Sequence, residues 1–115
     1  MFLMSLLNPQ HALISQQKII QYLLSSTHPV GRFKAAFFQA LGYRLEHWER
    51  LEADIRKSLL HPAISVGRSA YGEKYTITSI WNCPNQKSTQ VVTVWIILSG
   101  EDFPRFITAY PGDKS

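Results

Sequence analysis

The run Thr-Gln-Val-Val-Thr-Val-Trp-Ile-Ile-Leu, at residues 89–98, decides the fold of this chain. Most of its residues are β-branched and no Gly or Pro interrupts it, which is typical of a central β-strand. Alternation divides the run into two faces. The uniformly aliphatic face, which we expect to rest on helices, consists of Val92, Val94, Ile96 and Leu98. The mixed face, which we expect to be open, consists of Val91, Thr93, Trp95 and Ile97.

Two further strand patterns flank this run, at residues 74–81 and 103–110. The connecting segments, residues 82–88 and 99–102, are short, so neighbouring strands must run antiparallel as a meander. Residues 64–71 are the candidate for a fourth strand at the edge. The first connection reads Pro84-Asn85-Gln86, and we expect Gln86 to take the left-handed position of the turn at some steric cost.

The front half of the chain has helical periodicity instead. A first helix is predicted after Ser15, a second after His28-Pro29 and up to Gly42, and a third over residues 45–60. We therefore predict a single α+β domain over residues 1–115. In it, two to three N-terminal helices pack on one face of a three- to four-stranded antiparallel meander.

Charge is distributed unevenly along this chain. The net charge is +4, and no Asp or Glu precedes Glu46. A basic, acid-free surface concentrates polyanions, so nucleic acid is a candidate partner. The lone Cys83 excludes an intramolecular disulfide and fits a reducing compartment. No apolar run is long enough to span a bilayer, and we expect a cytoplasmic protein without a membrane partner.

Two segments carry candidate functional residues. At the entrance of the second helix, His28 has an imidazole suited to proton transfer at neutral pH, and Lys34 follows it as a cation. In the last strand Arg105 suits bidentate binding of phosphate, and Thr108 and Tyr110 share a predicted side with Phe106. Simpler structural roles remain open for these residues, such as a helix-entry turn for His28, snorkelling for Lys34, and surface or core-edge packing for Arg105 and Tyr110.

The sequence has no Gly-rich phosphate loop, no Cys/His metal spacing and no nucleophile elbow, so we expect neither a metal nor another cofactor. RNA cleavage needs none of these. The ribose 2′-OH is the nucleophile, and the protein supplies a base, an acid and cations for the pentavalent phosphorane.

The chain resembles an uncharacterised bacterial toxin-like domain family. The matching residues are 23–43, which include His-Pro-Val-Gly-Arg-Phe-Lys, then Tyr-Gly-Glu-Lys-Tyr at 71–75, Thr-Val-Trp at 93–95, and Pro-Arg-Phe-Ile-Thr-Ala-Tyr-Pro at 104–111. The resemblance implies a module at the end of a large secreted protein, or a small stand-alone gene beside a cognate antitoxin or immunity protein.

The architecture is also similar to the barnase, colicin and RelE group of metal-independent ribonucleases. That likeness implies that His28, Lys34, Arg105, Thr108 and Tyr110 form a catalytic site. His28 would act as base or acid, Lys34 and Arg105 would stabilise the phosphorane, and Thr108 and Tyr110 would orient the phosphate. This hypothesis requires the second helix's entrance and the last strand to converge on one pocket.

Two other hypotheses stay open. The same basic face could serve a non-catalytic RNA- or protein-binding module of a small toxin–antitoxin-like operon. The chain could also be a structural protein of such an operon.

Overall fold

The computed structural model describes residues 5–25, 27 and 32–112, and of Phe33 only the backbone. Helix α1 is Gln16–Lys18 and continues as a π-helical segment, Ile19–Leu23; α2 is Arg32–Ala40 and α3 is Trp48–Lys57. Single 3₁₀ turns occupy Pro9–His11, Leu45–His47 and Ser58–Leu60. The strands are β1 Ile64–Arg68, β2 Gly72–Asn82, β3 Ser88–Leu98 and β4 Arg105–Pro111.

The four strands form one antiparallel sheet in the order β1-β2-β3-β4, which confirms the predicted α+β meander. The longest ladder joins β2 to β3 and runs without a break from Gly72 opposite Leu98 to Asn82 opposite Ser88. All helices of the described residues precede the sheet in the chain. None of them is long and apolar enough to cross a bilayer.

The face assignment of β3 was wrong. Val91, Thr93 and Trp95 are fully buried, and the aliphatic set of Val92, Val94, Ile96 and Leu98 is only half-buried. Trp95 is therefore a core residue and lies on no open surface. Area alone explains much of this result, because an indole removes more apolar surface from water than a Val or Ile side chain does.

The polar groups on the buried face are satisfied within the core. Trp95 Nε1 donates to Thr93 Oγ1 at 2.9 Å, and Thr93 Oγ1 lies 3.1 Å from Ser58 Oγ at the end of α3. Ser58 Oγ also donates to the carbonyl of Ile55 at 2.5 Å. A buried hydroxyl or indole N–H is tolerated when it is hydrogen-bonded, so this network allows the mixed face to be the buried one.

The β2–β3 hairpin supports the end of α2. The backbone N–H of Asn85 donates to the Leu41 carbonyl at 3.1 Å, and the Asn85 side chain donates to the Ala40 carbonyl at 3.3 Å. These bonds satisfy carbonyls that a helix leaves unpaired at its C-terminus. Gly42 ends the helix with φ +99°, as predicted, and Gln86 has the expected positive φ of 68°.

A β-bulge interrupts β4. Phe106 lies opposite Trp95 and Thr108 lies opposite Val94, which leaves Ile107 without a partner. Phe106 and Ala109 are consequently the buried residues of the strand. The prediction that Phe106 shares a side with Thr108 and Tyr110 was therefore wrong, because one extra residue reverses the alternation beyond it.

Substitution of three glycines by Ala can distinguish the cost of a positive φ from the cost of a steric clash with the hairpin at the end of α2. A Cβ on Gly42 would lie 2.9 Å from the Asn85 N atom, whereas one on Gly100 (φ +86°) or Gly67 would meet nothing within 4 Å. We expect Gly100→Ala to lower the free energy of unfolding by about 1 kcal/mol through its positive φ alone. Gly42→Ala should lower it by about 2–3 kcal/mol, because hairpin contact adds to the strain. Urea denaturation measures both.

Gly67→Ala is the control, and it should change the free energy of unfolding by less than about 0.5 kcal/mol. Equal losses for Gly42→Ala and Gly100→Ala would show that the hairpin does not restrict the end of α2.

Candidate functional site

Lys34 of α2 reaches the last strand of the sheet. Its Nζ donates to Thr108 Oγ1 at 2.9 Å and to the Tyr22 hydroxyl at 3.2 Å. The same ammonium lies 5.2 Å from the centroid of the Tyr22 ring, within cation–π range. Two residues predicted from separate segments, Lys34 and Thr108, are thus brought into direct contact.

Lys18, at the end of α1, approaches the same strand. Its Nζ donates to the carbonyl of Ile107, the bulged residue, at 2.8 Å. Burial lowers the pKa of Lys18 below its usual value; Tyr22 opposes this shift, and the like charge of Lys34 adds to it. The two ammonium groups therefore interact electrostatically beside β4.

A groove of about 540 Å³ separates α1 and α2 from β4 and contains both lysines. Its lining residues are Ser15, Gln17, Lys18, Gln21, Tyr22, Lys34, Ile107 and Thr108. Neither a carboxylate nor an imidazole is among them. The ion pairs found among the described residues all involve other cations. Two ammonium groups without a carboxylate partner form a site suited to an anion.

The chain order explains this composition. Six of the eight lining residues come from the segment before Arg44, which contains no Asp or Glu, and the other two come from β4. Lys18 is also the first residue of the chain with a formal charge, and Arg32 is the next. The helices can therefore place cations here without adding an acidic neighbour.

Arg105 lies beside the groove and is already paired. Its Nε and Nη2 donate to the two carboxylate oxygens of Glu101 at 2.9 and 2.7 Å, and its guanidinium lies 5.3 Å from the centroid of the Phe103 ring. This pair lowers the pKa of Glu101 and raises that of Arg105. Arg105 lines an adjoining hollow rather than the groove itself.

Tyr110 and His28 are the remaining residues of the predicted site. Tyr110 is half-buried opposite Val92 and is not among the residues that line the groove. His28 lies outside the described residues, so its convergence with β4 stays a prediction. Sequence reasoning missed Lys18 and Tyr22. Their signal was the isolated charge of Lys18 in an otherwise uncharged first helix, four residues before an aromatic hydroxyl.

Potential metal ligands do not gather anywhere in the described ranges, where no three His, Cys, Asp or Glu side chains come close enough to hold an ion.

A family model described as "Domain of unknown function (DUF6883)" matches residues 5–113, nearly the whole chain. The chain belongs to this DUF6883 family. No curated protein matches it in sequence. Among solved structures, the domain is similar to a chain of a contact-dependent growth inhibition toxin–immunity protein complex from Klebsiella pneumoniae 342. The two share 16% sequence identity at a TM-score of 0.67, over 87% of this chain and 99% of that one. At this identity the likeness establishes a shared fold.

The electrostatic coupling of the two lysines can be measured in the DUF6883 domain. In Lys34→Met we expect the pKa of Lys18 to rise, because the variant removes the like charge that helps to lower it. Titration of the lysine ¹³Cε resonances by NMR measures this pKa. Lys74→Met, which removes an exposed lysine of β2 that does not line the groove, should leave it unchanged. An unaltered Lys18 pKa in Lys34→Met would mean that the two charges do not share one site.

Proposed function

We propose that this domain is an RNA-cleaving module of the bacterial toxin kind that works without a metal, by attack of the ribose 2′-OH. One observation carries the proposal: Lys34 contacts Thr108 in a groove that also contains Lys18 and no carboxylate. A phosphodiester entering this groove would meet two cations and a hydroxyl.

The chemistry assigns a role to each group. A base takes the proton of the 2′-OH as the 2′-oxygen forms a bond to phosphorus, and an acid protonates the 5′-oxygen as its bond to phosphorus breaks. The products are a 2′,3′-cyclic phosphate and a 5′-hydroxyl. His28 is the proposed base or acid, and Lys34 stabilises the charge of the phosphorane. Thr108, held by Lys34, orients the phosphate, and we propose Tyr110 as a further orienting group.

Arg105 was predicted as a second cation for the phosphorane, and its pairing with Glu101 bears on that role. Glu101 occupies the Nε–Nη2 edge of Arg105 and offsets its charge, so a phosphate gains less from Arg105 than from a cation without a carboxylate beside it. Lys18 has no such carboxylate neighbour among the described residues and lies beside Lys34. Lys18 is therefore the better-placed partner for Lys34.

The structural comparison supports a toxin–immunity context for this domain, as toxin or as immunity module. The structural neighbour belongs to a complex of a growth-inhibition toxin with its immunity protein. By analogy we propose that this domain acts in the cytoplasm and is neutralised by a small cognate partner protein.

Cleavage can be tested with purified protein, total RNA and EDTA. We expect cleavage in EDTA that leaves cyclic phosphate ends. His28→Ala should reduce the rate by about 10²- to 10⁴-fold through loss of proton transfer. Lys34→Met should reduce it by about 10²- to 10³-fold through loss of charge stabilisation. Gel analysis of the products and their end groups measures both effects.

The matched control is Lys74→Met, which removes the same charge from the exposed surface of β2 and should cleave at the rate of the unaltered protein. Loss of cleavage in EDTA, or full activity in both His28→Ala and Lys34→Met, would refute the proposal.

A second function is favoured by the lining of the groove, in which the described residues include no imidazole and no carboxylate for proton transfer. The lysines suffice to hold RNA, so the alternative is a binding module without catalysis. In that case RNA is retarded but intact. Its affinity falls with salt, and Lys18→Met and Lys34→Met each reduce the slope of log K against log salt by about 0.7. Filter binding across a salt series measures this slope, and Lys74→Met is again the control.

A further inference from the structure

The groove continues past Lys18 into a second hollow of about 470 Å³. Three residues line both spaces: Ser15, Lys18 and Ile107. Lys18 therefore stands at the boundary between them, and a ligand bound at its ammonium can extend into either space.

The two spaces differ in character. The groove contains the ammonium groups of both Lys18 and Lys34, which suit a phosphate. The hollow beyond is walled mainly by hydrocarbon and aromatic side chains, namely Leu13, Ile14, Ile96, Phe106 and Ile107. Apart from the shared Lys18, Arg105 is the charged residue in its lining. A cationic space joined to an apolar one matches a ligand with a phosphate and a flat ring.

Arg105 contributes a fixed plane to the hollow. Its Nε–Nη2 edge is held by the two oxygens of Glu101, and the Phe103 ring lies over one face of the guanidinium. The Glu101 carboxylate occupies the Nε–Nη2 edge, and its negative charge opposes the approach of a phosphate to this guanidinium. The face of the guanidinium opposite Phe103 is a flat surface of the kind on which nucleobases stack in complexes of proteins with single-stranded RNA.

We propose that the groove and the hollow are two subsites for one nucleotide of a single-stranded RNA, and that this places the phosphate between Lys18 and Lys34 and the base in the apolar hollow against Arg105. The inference rests on the proposed function for the choice of RNA as ligand. It makes Lys18 a phosphate ligand and moves Arg105 from the phosphate to the base.

The test uses the full chain and three probes: inorganic phosphate, uridine 3′-monophosphate and uridine. Dissociation constants come from NMR titrations. We expect the nucleotide to bind at least about tenfold more tightly than phosphate, because the stacked base adds affinity. Lys18→Met should weaken the binding of phosphate and nucleotide alike. Arg105→Lys keeps the positive charge but loses the planar guanidinium. It should weaken the binding of the nucleotide about fivefold to tenfold and leave the binding of phosphate unchanged.

A second variant tests the hollow without touching a charge. Leu13 is 47% exposed, so the Leu13→Ser variant should fold normally. It should weaken the binding of the nucleotide and leave the binding of phosphate unchanged. Lys74→Met should alter neither. The inference is overturned if phosphate and nucleotide bind equally well, if Arg105→Lys weakens phosphate as much as nucleotide, or if Lys18→Met leaves phosphate binding intact.

The two proposals fail in distinguishable ways. RNA cleavage with the expected His28 dependence, but without the pattern of the Arg105 and Leu13 variants, refutes the two subsites and keeps the nuclease. Nucleotide binding with that pattern but without cleavage keeps the subsites and refutes the nuclease.

Discussion

The hydroxyl of Thr93 accepts a hydrogen bond from the Trp95 indole at 2.9 Å and lies 3.1 Å from Ser58 Oγ, with all three side chains buried. Without this bond the indole N–H would be desolvated and unpaired, at a cost of about 1–3 kcal/mol. With it, β3 can turn its largest side chain toward the helices. The direction of every other strand's side chains follows, because antiparallel partners directly opposite each other share a face.

The bulge in β4 connects this core to the candidate site. Phe106 packs on Trp95 with ring centroids 5.4 Å apart, and Ala109 is also buried. A regular strand cannot bury two residues three positions apart on one face, so the extra residue Ile107 is what reconciles them. The same irregularity provides the carbonyl that Lys18 binds and sets Thr108 within reach of Lys34. Packing and site geometry therefore depend on one local departure from regular β-structure.

The groove is positively charged because no carboxylate lines it. Several cations elsewhere are neutralised locally. Arg50 binds Asp54, which the Tyr43 hydroxyl also binds, and Arg68 binds Glu73. The lysines of the groove have hydroxyl and carbonyl partners instead. Hydroxyl and carbonyl groups position an ammonium without cancelling its charge, which leaves the attraction for an anion intact.

Sequence alone determined the succession of helices and strands, the antiparallel order and two of the left-handed turn positions, Gly42 and Gln86. These features depend on local periodicity, short connections and backbone sterics, all of which are determined by residues close together in the chain. It also placed Lys34 and Thr108 on the list of candidate site residues. Only the tertiary structure decided which face of β3 is buried, where β4 bulges, and that Lys18 and Tyr22 join the site while Arg105 binds Glu101. Those outcomes depend on contacts between residues far apart in the chain, such as Ser58 with Thr93 and Lys34 with Thr108, and no local pattern encodes such contacts.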